Sequence, residues 1–152
     1  MLVKDSVIRT KVIKPGTLVR DFFSECGRAH AQALPFADES GKLTGRITLK
    51  HVMKTGCLPA HLVATAPLLG NFLACIGNAP EKITKLLNSQ IDVYVQRLHI
   101  LIGPDEPAMK ALAIMEQNDT SYLFVIDNGE YKGIITIQGI AARMSRIYSE
   151  IK

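Results

Sequence analysis

The pattern of apolar and polar positions is most informative between Ser121 and Ile140, in the stretch SYLFVIDNGEYKGIITIQGI. Tyr122 to Ile126 is a run of aromatic, aliphatic and β-branched side chains, which predicts a strand. Asp127-Asn128-Gly129 follows, and these residue types tolerate the left-handed conformations of a tight turn. A second β-rich run covers Ile134 to Ile137, and the spacing becomes helical from Gln138. The stretch therefore predicts a β-hairpin that leads into a helix.

The first half of the chain predicts a similar series of elements. After the turn at Pro15-Gly16, apolar residues recur on one helical face, and Thr17 is placed to cap that helix through its hydroxyl. The apolar face consists of Leu18, Val19, Phe22, Phe23 and Cys26. Strands are predicted over Ala33–Ala37 and Leu43–Thr48, on either side of a polar turn, and Leu49–Lys54 begins a second helix.

The elements before the hairpin of the second half follow from the same signals. Asn78-Ala79-Pro80-Glu81 has the composition of a helix start. Val93-Tyr94-Val95 and His99 to Ile102 are strand-like, and Asp105 is placed to cap the next helix. The apolar face of that helix consists of Ala108, Ala111, Leu112 and Met115. With Lys11 to Lys14 as a short lead-in strand before Pro15, both halves thus predict a strand, a helix, a hairpin and a further helix.

The two halves also keep a common spacing, which indicates an internal repeat. Pro15 and Pro104 lie 89 residues apart, as do Asp38 and Asp127. The turn is one residue shorter in the second half, and two further landmark pairs then lie 88 residues apart: Gly45 with Gly133, and Thr48 with Thr136. Few other residues are identical, so spacing and polarity are what repeat.

The order of a hydrophobic strand, Asp, turn, Gly, Ile-Ile-Thr and helix resembles the core of a CBS domain, the regulatory module named after cystathionine β-synthase. The resemblance implies an α/β (α+β) fold of tandem CBS domains, in which two β-α-β-β-α units pack sheet to sheet with a helical apolar insert between them. We expect the first repeat to cover residues 1–56, the insert 57–90 and the second repeat 91–152.

The insert contains the one stretch that this resemblance does not explain. Residues 55–80 include no Asp, Glu, Lys or Arg. A span of about twenty apolar residues could cross a membrane, but this one is interrupted by prolines, a glycine and polar residues: Pro59, His61, Pro67, Gly70, Asn71 and Asn78. We interpret it as a buried or subunit-facing helix and expect a homodimer; membrane contact is the less favoured alternative.

Composition and charge narrow the function classes. The 152 residues are 47% hydrophobic, which suffices for a sizeable core. Eighteen Lys and Arg against 14 Asp and Glu give a net charge of +4, which favours anionic partners. The charges are scattered along the chain, without a clustered basic face or an aromatic-studded strand motif. We therefore do not expect a nucleic-acid binder.

Candidate chemistry is sparse. No Ser/His/Asp or Cys/His set and no phosphate-binding glycine loop can be argued from spacing, and the four histidines lack metal-ligand spacing. We expect no catalysis and no metal. The three cysteines form no CxxC pair, which favours reduced, structural thiols and a cytoplasmic location; they are Cys26, Cys57 and Cys75. The N-terminal segment carries charges where a secretory signal needs an apolar core.

The family resemblance implies two clefts between the repeats, each able to hold an adenosine-containing ligand. Apolar walls suit the faces of a purine, while main-chain groups read its edge. The corresponding adenine positions are Ile13, Ala33 and Leu34 in one cleft, and Ile102, Tyr122 and Leu123 in the other. Residues of these types are also ordinary core residues, and that interpretation stays open.

The most specific family motif is Gly, two hydrophobic residues, Thr or Ser, two residues and Asp. It implies that Thr48 and Thr136 contact phosphate or ribose at a helix start, where an anion is favoured. The ribose-binding Asp is replaced by His51 in the first repeat and by Gly139 in the second. His51 can compensate by hydrogen bonding, or by pairing with phosphate when protonated. The alternative is a histidine at a helix surface.

Two functions from different classes follow. In the first, the chain is a regulatory module that binds AMP, ADP, ATP or S-adenosylmethionine between its repeats and controls a partner protein. In the second, it is a CBS scaffold without a ligand that acts in dimerisation or interaction. The retained threonines favour the first function, and the two replaced aspartates favour the second.

Overall fold

The computed structural model describes residues 1–58, 60–68, 79–98 and 100–152. It contains six α-helices and six strands in these ranges, together with short 3₁₀ turns at Val3–Ser6, Ala66–Leu68 and Ile91–Tyr94. The helices are α1 (Val19–Ala29), α2 (Leu49–Cys57), α3 (Ala60–Thr65), α4 (Ala79–Leu87), α5 (Ala108–Gln117) and α6 (Ile137–Ile151). The strands are β1 (Ala33–Ala37), β2 (Leu43–Thr48), β3 (Gln96–Arg97), β4 (Leu101–Ile102), β5 (Tyr122–Asp127) and β6 (Glu130–Thr136). The predicted α/β (α+β) fold class is confirmed.

The strands form two three-stranded sheets, one in each half of the chain. The first sheet has the order β1-β2-β3 and is antiparallel throughout. In the second sheet, whose order is β4-β5-β6, β4 runs parallel to β5 and β5 pairs with β6 as the predicted hairpin. Positive φ at Asn128 and Gly129 closes that hairpin, as expected for a tight turn between two strands.

The segment that leads into each half of the chain pairs with the sheet of the other half. We call these two stretches the lead-in segments and their reciprocal pairing the exchange. Arg97, at the start of the second half, pairs with Gly45 in the first sheet. Ile8, near the N-terminus, pairs with Ile134 in the second sheet through two backbone hydrogen bonds of 2.9 Å. Each half therefore completes the sheet of the other half.

The same exchange continues at the starts of the helices. The Val3 N–H donates to the Glu106 carbonyl, and the Ile91 N–H donates to the Thr17 carbonyl, each at 2.8 Å. Val3 begins the 3₁₀ turn of the first half and Ile91 that of the second, 88 residues later. The repeat predicted from four landmarks thus extends to backbone hydrogen bonds that carry no sequence signature.

One hydrophobic core joins both sheets, and a second lies in the second half, where Val3 and Val7 of the N-terminal segment also pack. The first core contains Leu34 and Ile47 of the first sheet together with Tyr122, Phe124 and Ile134 of the second. The alternate residues of β5 and β6 pack instead against α5 and α6; they are Leu123, Val125 and Ile135. Successive side chains of a strand point to opposite faces, so one face of the second sheet packs on the first sheet and the other on its own helices.

Three local predictions were wrong, and the exchange explains why. Thr17 does not cap α1: Leu18 is the N-cap, and the Thr17 hydroxyl donates to the Lys14 carbonyl at 2.7 Å. Asp105 does not cap α5, which begins after Pro107; its carboxylate instead pairs with Lys4 at 2.8 Å. The strand predicted at Val93–Val95 is largely the 3₁₀ turn Ile91–Tyr94. The sequence signals did not include the partner segments that occupy these sites.

The predicted insert lies partly within the described residues. Helix α3 is followed by a 3₁₀ turn, and the apolar side chains of Leu58, Val63 and Leu68 are 48%, 51% and 84% exposed. Residues 59 and 69–78 lie outside the described part, so the predicted buried helix is described only at its two ends. Within the described residues, no helix combines the length and the apolar character needed to cross a bilayer.

The thiols differ from one another. Cys26 is buried on α1, and burial, with a smaller contribution from the Glu25 carboxylate, raises its pKa to about 12. A thiol of this kind is unreactive at neutral pH, as the sequence suggested. Cys57 is exposed at the end of α2, and Cys75 lies outside the described residues.

Replacing Gly45 by Ala tests the exchange of lead-in segments. A Cβ atom at Gly45 would lie 2.5 Å from Val95 Cγ1 and 2.7 Å from the Gln96 carbonyl oxygen. Because the carbonyl belongs to the backbone of the paired segment, the segment must move. We expect the free energy of unfolding to fall by about 1–3 kcal/mol, measured by urea denaturation.

Gly27→Ala is the matched control for this variant. Gly27 lies inside α1, and a Cβ atom there would meet nothing within 4 Å. Alanine in a helix is favoured over glycine by up to about 1 kcal/mol, so this variant should be as stable as the parent protein or more stable. Equal stability of the Gly45→Ala variant would show that the lead-in segment does not lie there in solution.

Candidate functional site

The two family threonines occupy equivalent places at helix starts. Thr48 ends β2 and is the N-cap of α2, where its Oγ1 accepts a 3.0 Å hydrogen bond from the His51 N–H. Thr136 ends β6 and caps α6 in the same way, accepting from the Gly139 N–H at 2.9 Å. A hydroxyl at this position satisfies one of the unpaired N–H groups of the first helical turn. Each threonine is thus a structural cap, and a capping hydroxyl still has its hydrogen to donate; Thr48, which is partly exposed, can donate it to a ligand.

A cavity of about 400 Å³ opens beside Thr48, between the two repeats. The first repeat contributes the end of β2 and one face of α2, and the second repeat contributes the loop between α5 and β5. We call this cavity the first cleft. Its lining residues are Gln32, Arg46, Thr48, Lys50, His51, Lys54, Gln96, Asp119, Thr120, Ser121 and Tyr122. The volume lies within the range of small-molecule binding sites.

Two side-chain hydrogen bonds cross the first cleft. Arg46 Nη1 donates to Tyr122 Oη at 2.7 Å, while its Nε donates to the Arg97 carbonyl at 3.0 Å. Gln32 Nε2 donates to Ser121 Oγ, and these two residues occupy equivalent positions in the repeats. The Arg46 guanidinium therefore ties the first sheet to the first residue of β5.

The first cleft is rich in basic groups. Arg46, Lys50 and Lys54 line it together with His51, and Asp119 is its one acidic lining residue within the described part of the chain. His51 also places its ring edge-on to Tyr94, with the two ring centroids 6.5 Å apart. A concave surface lined mainly by one sign of charge attracts ligands of the opposite sign, so this cleft favours an anion.

The equivalent second cleft, beside Thr136, differs in both space and charge. Thr136 is only 3% exposed. A Cβ atom at Gly139 would lie 3.2 Å from Thr136 Oγ1 and 3.5 Å from the Ser6 carbonyl oxygen, so the N-terminal segment already lies against this position. The residues equivalent to the four basic ones are uncharged; they are Ile134, Gln138, Gly139 and Ala142.

Comparison with models of known protein families gives a match within the second repeat. Residues 95–146 match the family model described as CBS domain. This segment contains the β5–β6 hairpin, Thr136 and most of α6. Residues 95–146 are a CBS domain. A search of curated proteins gave no match.

Solved structures extend the likeness to the whole chain. The CBS domain of a membrane protein from Sphaerobacter thermophilus aligns with a TM-score of 0.67 at 14% identity, over 93% of this chain and 86% of that one. CBSX2 in complex with AMP aligns with a TM-score of 0.61 at 18% identity, over 97% of this chain and 98% of that one. The CBS domain pair of protein MJ0100 was solved in complex with 5′-methylthioadenosine and S-adenosyl-L-methionine. It aligns with a TM-score of 0.58 at 21% identity, over 100% of this chain and 98% of that one. The whole chain has the fold of a CBS domain pair.

The CBS fold brings together some of the predicted site residues and separates others. Thr48, His51 and Tyr122 line the first cleft. Tyr122 is nevertheless only 5% exposed, and the remaining predicted residues are also nearly fully buried. Those in the two cores are Ile13, Ala33, Leu34, Ile102 and Leu123, and Thr136 is buried at the start of α6. The Ile13 N–H and C=O are already bonded, to the Pro35 carbonyl and the Ala37 N–H, and so cannot read a purine edge without breaking these bonds. A ligand role for each residue stays a prediction.

The basic side chains of the cleft were missed by the sequence analysis. Arg46 precedes Thr48 by two residues on β2, and Lys50 and Lys54 lie one turn apart on α2. Alternation along a strand and the i, i+4 rule along a helix place such residues on shared faces. Comparison of the two repeats at equivalent positions, rather than at shared landmarks, would have identified them.

No metal site accompanies the cleft. Within the described ranges, no group of three or more His, Cys, Asp or Glu side chains is placed to hold a metal ion.

Replacing Arg46 tests the bond that crosses the cleft. Burial raises the pKa of the Tyr122 hydroxyl, while the hydrogen bond and charge of Arg46 lower it by stabilising the phenolate. Arg46→Met should therefore raise the pKa of Tyr122 further. The measurement is an alkaline titration of tyrosine absorbance, with the Tyr122→Phe variant subtracted to isolate this residue.

Arg20→Met is the control for the loss of one guanidinium charge. Arg20 lies on α1, where its side chain donates to Asn88 rather than to a tyrosine. This variant should leave the Tyr122 titration in place. A Tyr122 pKa that falls, or stays constant, in Arg46→Met would mean that the bond does not form in solution.

Proposed function

We propose that the chain is a regulatory module that binds an adenosine-containing metabolite in the first cleft and controls a partner protein. The observation that carries this proposal is a cavity of about 400 Å³ between the repeats, lined by the family threonine Thr48 from the first repeat and by Tyr122 from the second. Ligand sites combine apolar surface with a few placed polar groups, and this cleft offers both.

The groups in the cleft match parts of an adenosine phosphate. Gln32 and Gln96 line the cleft and supply amide donors and acceptors for a purine edge, while Tyr122, at 5% exposed, adds only a small part of its surface. The Thr48 hydroxyl retains its hydrogen for a phosphate or ribose oxygen. His51 occupies the place of the ribose-binding Asp, so ribose recognition depends on an imidazole nitrogen in place of a carboxylate.

Two structural neighbours support the ligand class. CBSX2 was solved with AMP, and the MJ0100 domain pair with 5′-methylthioadenosine and S-adenosyl-L-methionine. Modules of this family generally regulate other proteins rather than catalyse reactions, and we propose the same for this chain. A change in the relative placement of the two sheets is the signal that a partner could detect, because the ligand would lie between them.

A thermal scan tests the proposed function. A ligand that binds only the folded state adds about 2.7 kcal/mol of stability at one hundred times its dissociation constant. For a domain of this size the melting temperature then rises by roughly 5–11 °C. At millimolar concentration, at least one of AMP, ADP, ATP and S-adenosylmethionine should produce such a shift.

A pair of threonine variants locates the binding site. Thr48→Val and Thr136→Val each remove one helix cap, which should lower the free energy of unfolding by about 1 kcal/mol. The melting temperature of the free protein should therefore fall by a similar amount in both variants. Only Thr48→Val should also shrink the shift caused by the ligand, because Thr48 lines the first cleft and Thr136 is buried. Equal shrinkage in both variants would place the ligand elsewhere.

The scaffold function is the second candidate, and the altered second cleft favours it. There the position of the ribose-binding Asp is Gly139, which has no side chain to replace the carboxylate, and the neighbouring Thr136 is buried. If no adenosine compound shifts the melting temperature, the regulatory ligand-binding function is wrong and the scaffold function is favoured. Either function is compatible with a cytoplasmic protein, which is what we propose.

We also propose a homodimer in which the insert contributes to the subunit contact. Exposed apolar side chains at its described ends include Leu58, Val63 and Leu68 before the gap and Ile83 after it. Apolar surface of this kind is usually covered in a protein in water. Sedimentation at micromolar concentration should therefore give about twice the chain mass of 16.7 kDa.

Two charged substitutions provide the control for dimerisation. Val63→Glu should shift the sedimentation equilibrium towards the monomer, because a buried unpaired carboxylate is costly. Met109→Glu places the same charge on an exposed residue of α5, outside the insert, and should leave the dimer intact. A wild-type protein that sediments as a monomer contradicts the proposal.

A further inference from the structure

Three cations line the first cleft without an ion pair among the residues that the structure describes. Arg46, Lys50 and Lys54 form no salt bridge with any residue in the described part of the chain, whereas five other basic residues do. Like charges that converge on a cavity repel one another and destabilise the folded state. An anion in the cleft would relieve this repulsion, and the exposed side chains of Lys50 and Lys54 can approach it.

The N-terminus of α2 does not provide this anion site by itself. The Leu49 N–H donates to the Gln32 carbonyl at 2.9 Å, and the His51 N–H donates to Thr48 Oγ1. Two of the N–H groups that a helix start could offer to an anion are therefore occupied. The attraction must come mainly from side chains.

The second cleft shows that the basic groups are not required by the fold. It is built from an equivalent β-strand, threonine cap and helix start. At the three basic positions it has uncharged residues: Ile134, Gln138 and Ala142 replace Arg46, Lys50 and Lys54. One chain thus contains both a charged and an uncharged version of the site. We therefore attribute the basic side chains of the first cleft to ligand binding and not to folding.

We propose that the first cleft is selective for phosphorylated adenosine, with affinity rising from AMP to ADP and ATP, and that Arg46 moves from Tyr122 to the ligand phosphate. A guanidinium binds phosphate through paired, charge-assisted hydrogen bonds, which are stronger than its single bond to a neutral phenol. The cationic sulfonium of S-adenosylmethionine is repelled by the same groups. This proposal rests on the proposed function and adds the ligand class and the switching residue.

The movement of Arg46 connects binding to a structural signal. Its bond to Tyr122 joins β2 of the first repeat to β5 of the second. When the guanidinium binds a phosphate, its hydrogen bond to Tyr122 is lost, and the bound ligand then contacts both repeats instead. Occupancy of the cleft then changes how the repeats are held together, which is the response expected of a regulatory module.

Calorimetric titration tests the ligand class. The probes are adenosine, AMP, ADP, ATP, S-adenosylmethionine and inorganic triphosphate, each at low and high salt. We expect one ADP per chain, bound at least about 10-fold more tightly than adenosine or S-adenosylmethionine, with affinity that falls as salt rises. Two ADP per chain, or S-adenosylmethionine binding as tightly as ADP, would overturn the proposal.

Two double variants with the same loss of charge test the lysines. Lys50→Gln with Lys54→Gln should weaken ADP binding by about 10-fold or more and leave adenosine binding nearly unchanged, because only the phosphates meet these side chains. Lys42→Gln with Lys110→Gln removes two positive charges outside the cleft and should change ADP affinity less than about 2-fold. Equal effects of the two double variants would contradict a local phosphate site.

Variants at Arg46 and Tyr122 test the switch through effects of opposite sign. Arg46→Met should weaken ADP binding about 10-fold or more. Tyr122→Phe keeps the aromatic ring but removes the competing hydroxyl, so it should strengthen ADP binding by about 10-fold, the lower end of the value of one hydrogen bond to a charged group. Weaker binding in Tyr122→Phe would show that the hydroxyl serves the ligand and that Arg46 does not switch.

The outcomes separate this inference from the proposed function. Adenosine compounds that bind without preference for phosphate would leave the function in place and overturn the inference. Inorganic triphosphate that binds while no adenosine compound does would support the phosphate site and overturn the adenosine function. The absence of binding by any probe would overturn both.

Discussion

The fold depends on the close approach of two backbone segments to two glycines. Gly45 faces Val95 and Gln96 of the second lead-in segment, and Gly133, at a φ of +149°, faces Val7 and Ile8 of the first. A side chain at either glycine would push the lead-in segment off the sheet that it completes. Because each half of the chain completes the sheet of the other, neither repeat can form its full sheet alone, and the cleft between them exists only in the pair.

This constraint explains which parts of the fold could be predicted from sequence. Local signals were sufficient for β1, β2 and the β5–β6 hairpin, since alternation and turn residues act within a few positions. Gly45 and Gly133 were recognised as landmarks, but the reason for them lies about fifty or more residues away along the chain. The Thr17 and Asp105 predictions were wrong for the same reason. Helix α1 begins one residue later than predicted, where Leu18 pairs with Gln90 and the Val19 N–H donates to the Ser89 carbonyl, and Asp105 pairs with Lys4.

The candidate site shows a similar division. The two capping threonines could be predicted because the cap and its helix are adjacent in sequence, and the structure places both hydroxyls on the expected N–H groups. The adenine-wall residues were chosen from the family pattern, which does not report whether a side chain points into the cleft or into the core. Arg46 required knowledge of its partner Tyr122, which is on the other repeat and 76 residues distant.

The difference between the two clefts follows from the chemistry of these partners. The Arg46 guanidinium, half-buried between the sheets, is satisfied by Tyr122 Oη and the Arg97 carbonyl. The equivalent pair in the other half is Ile134 and Ala33, which are both fully buried and apolar. A cation at Ile134 would meet a methyl group instead of a hydroxyl, and an unpaired buried charge costs several kcal/mol. The two positions are therefore coupled: charge is tolerated at a cleft only where the opposite repeat supplies a polar partner, so the first cleft can hold its cation before a ligand arrives and the second cannot.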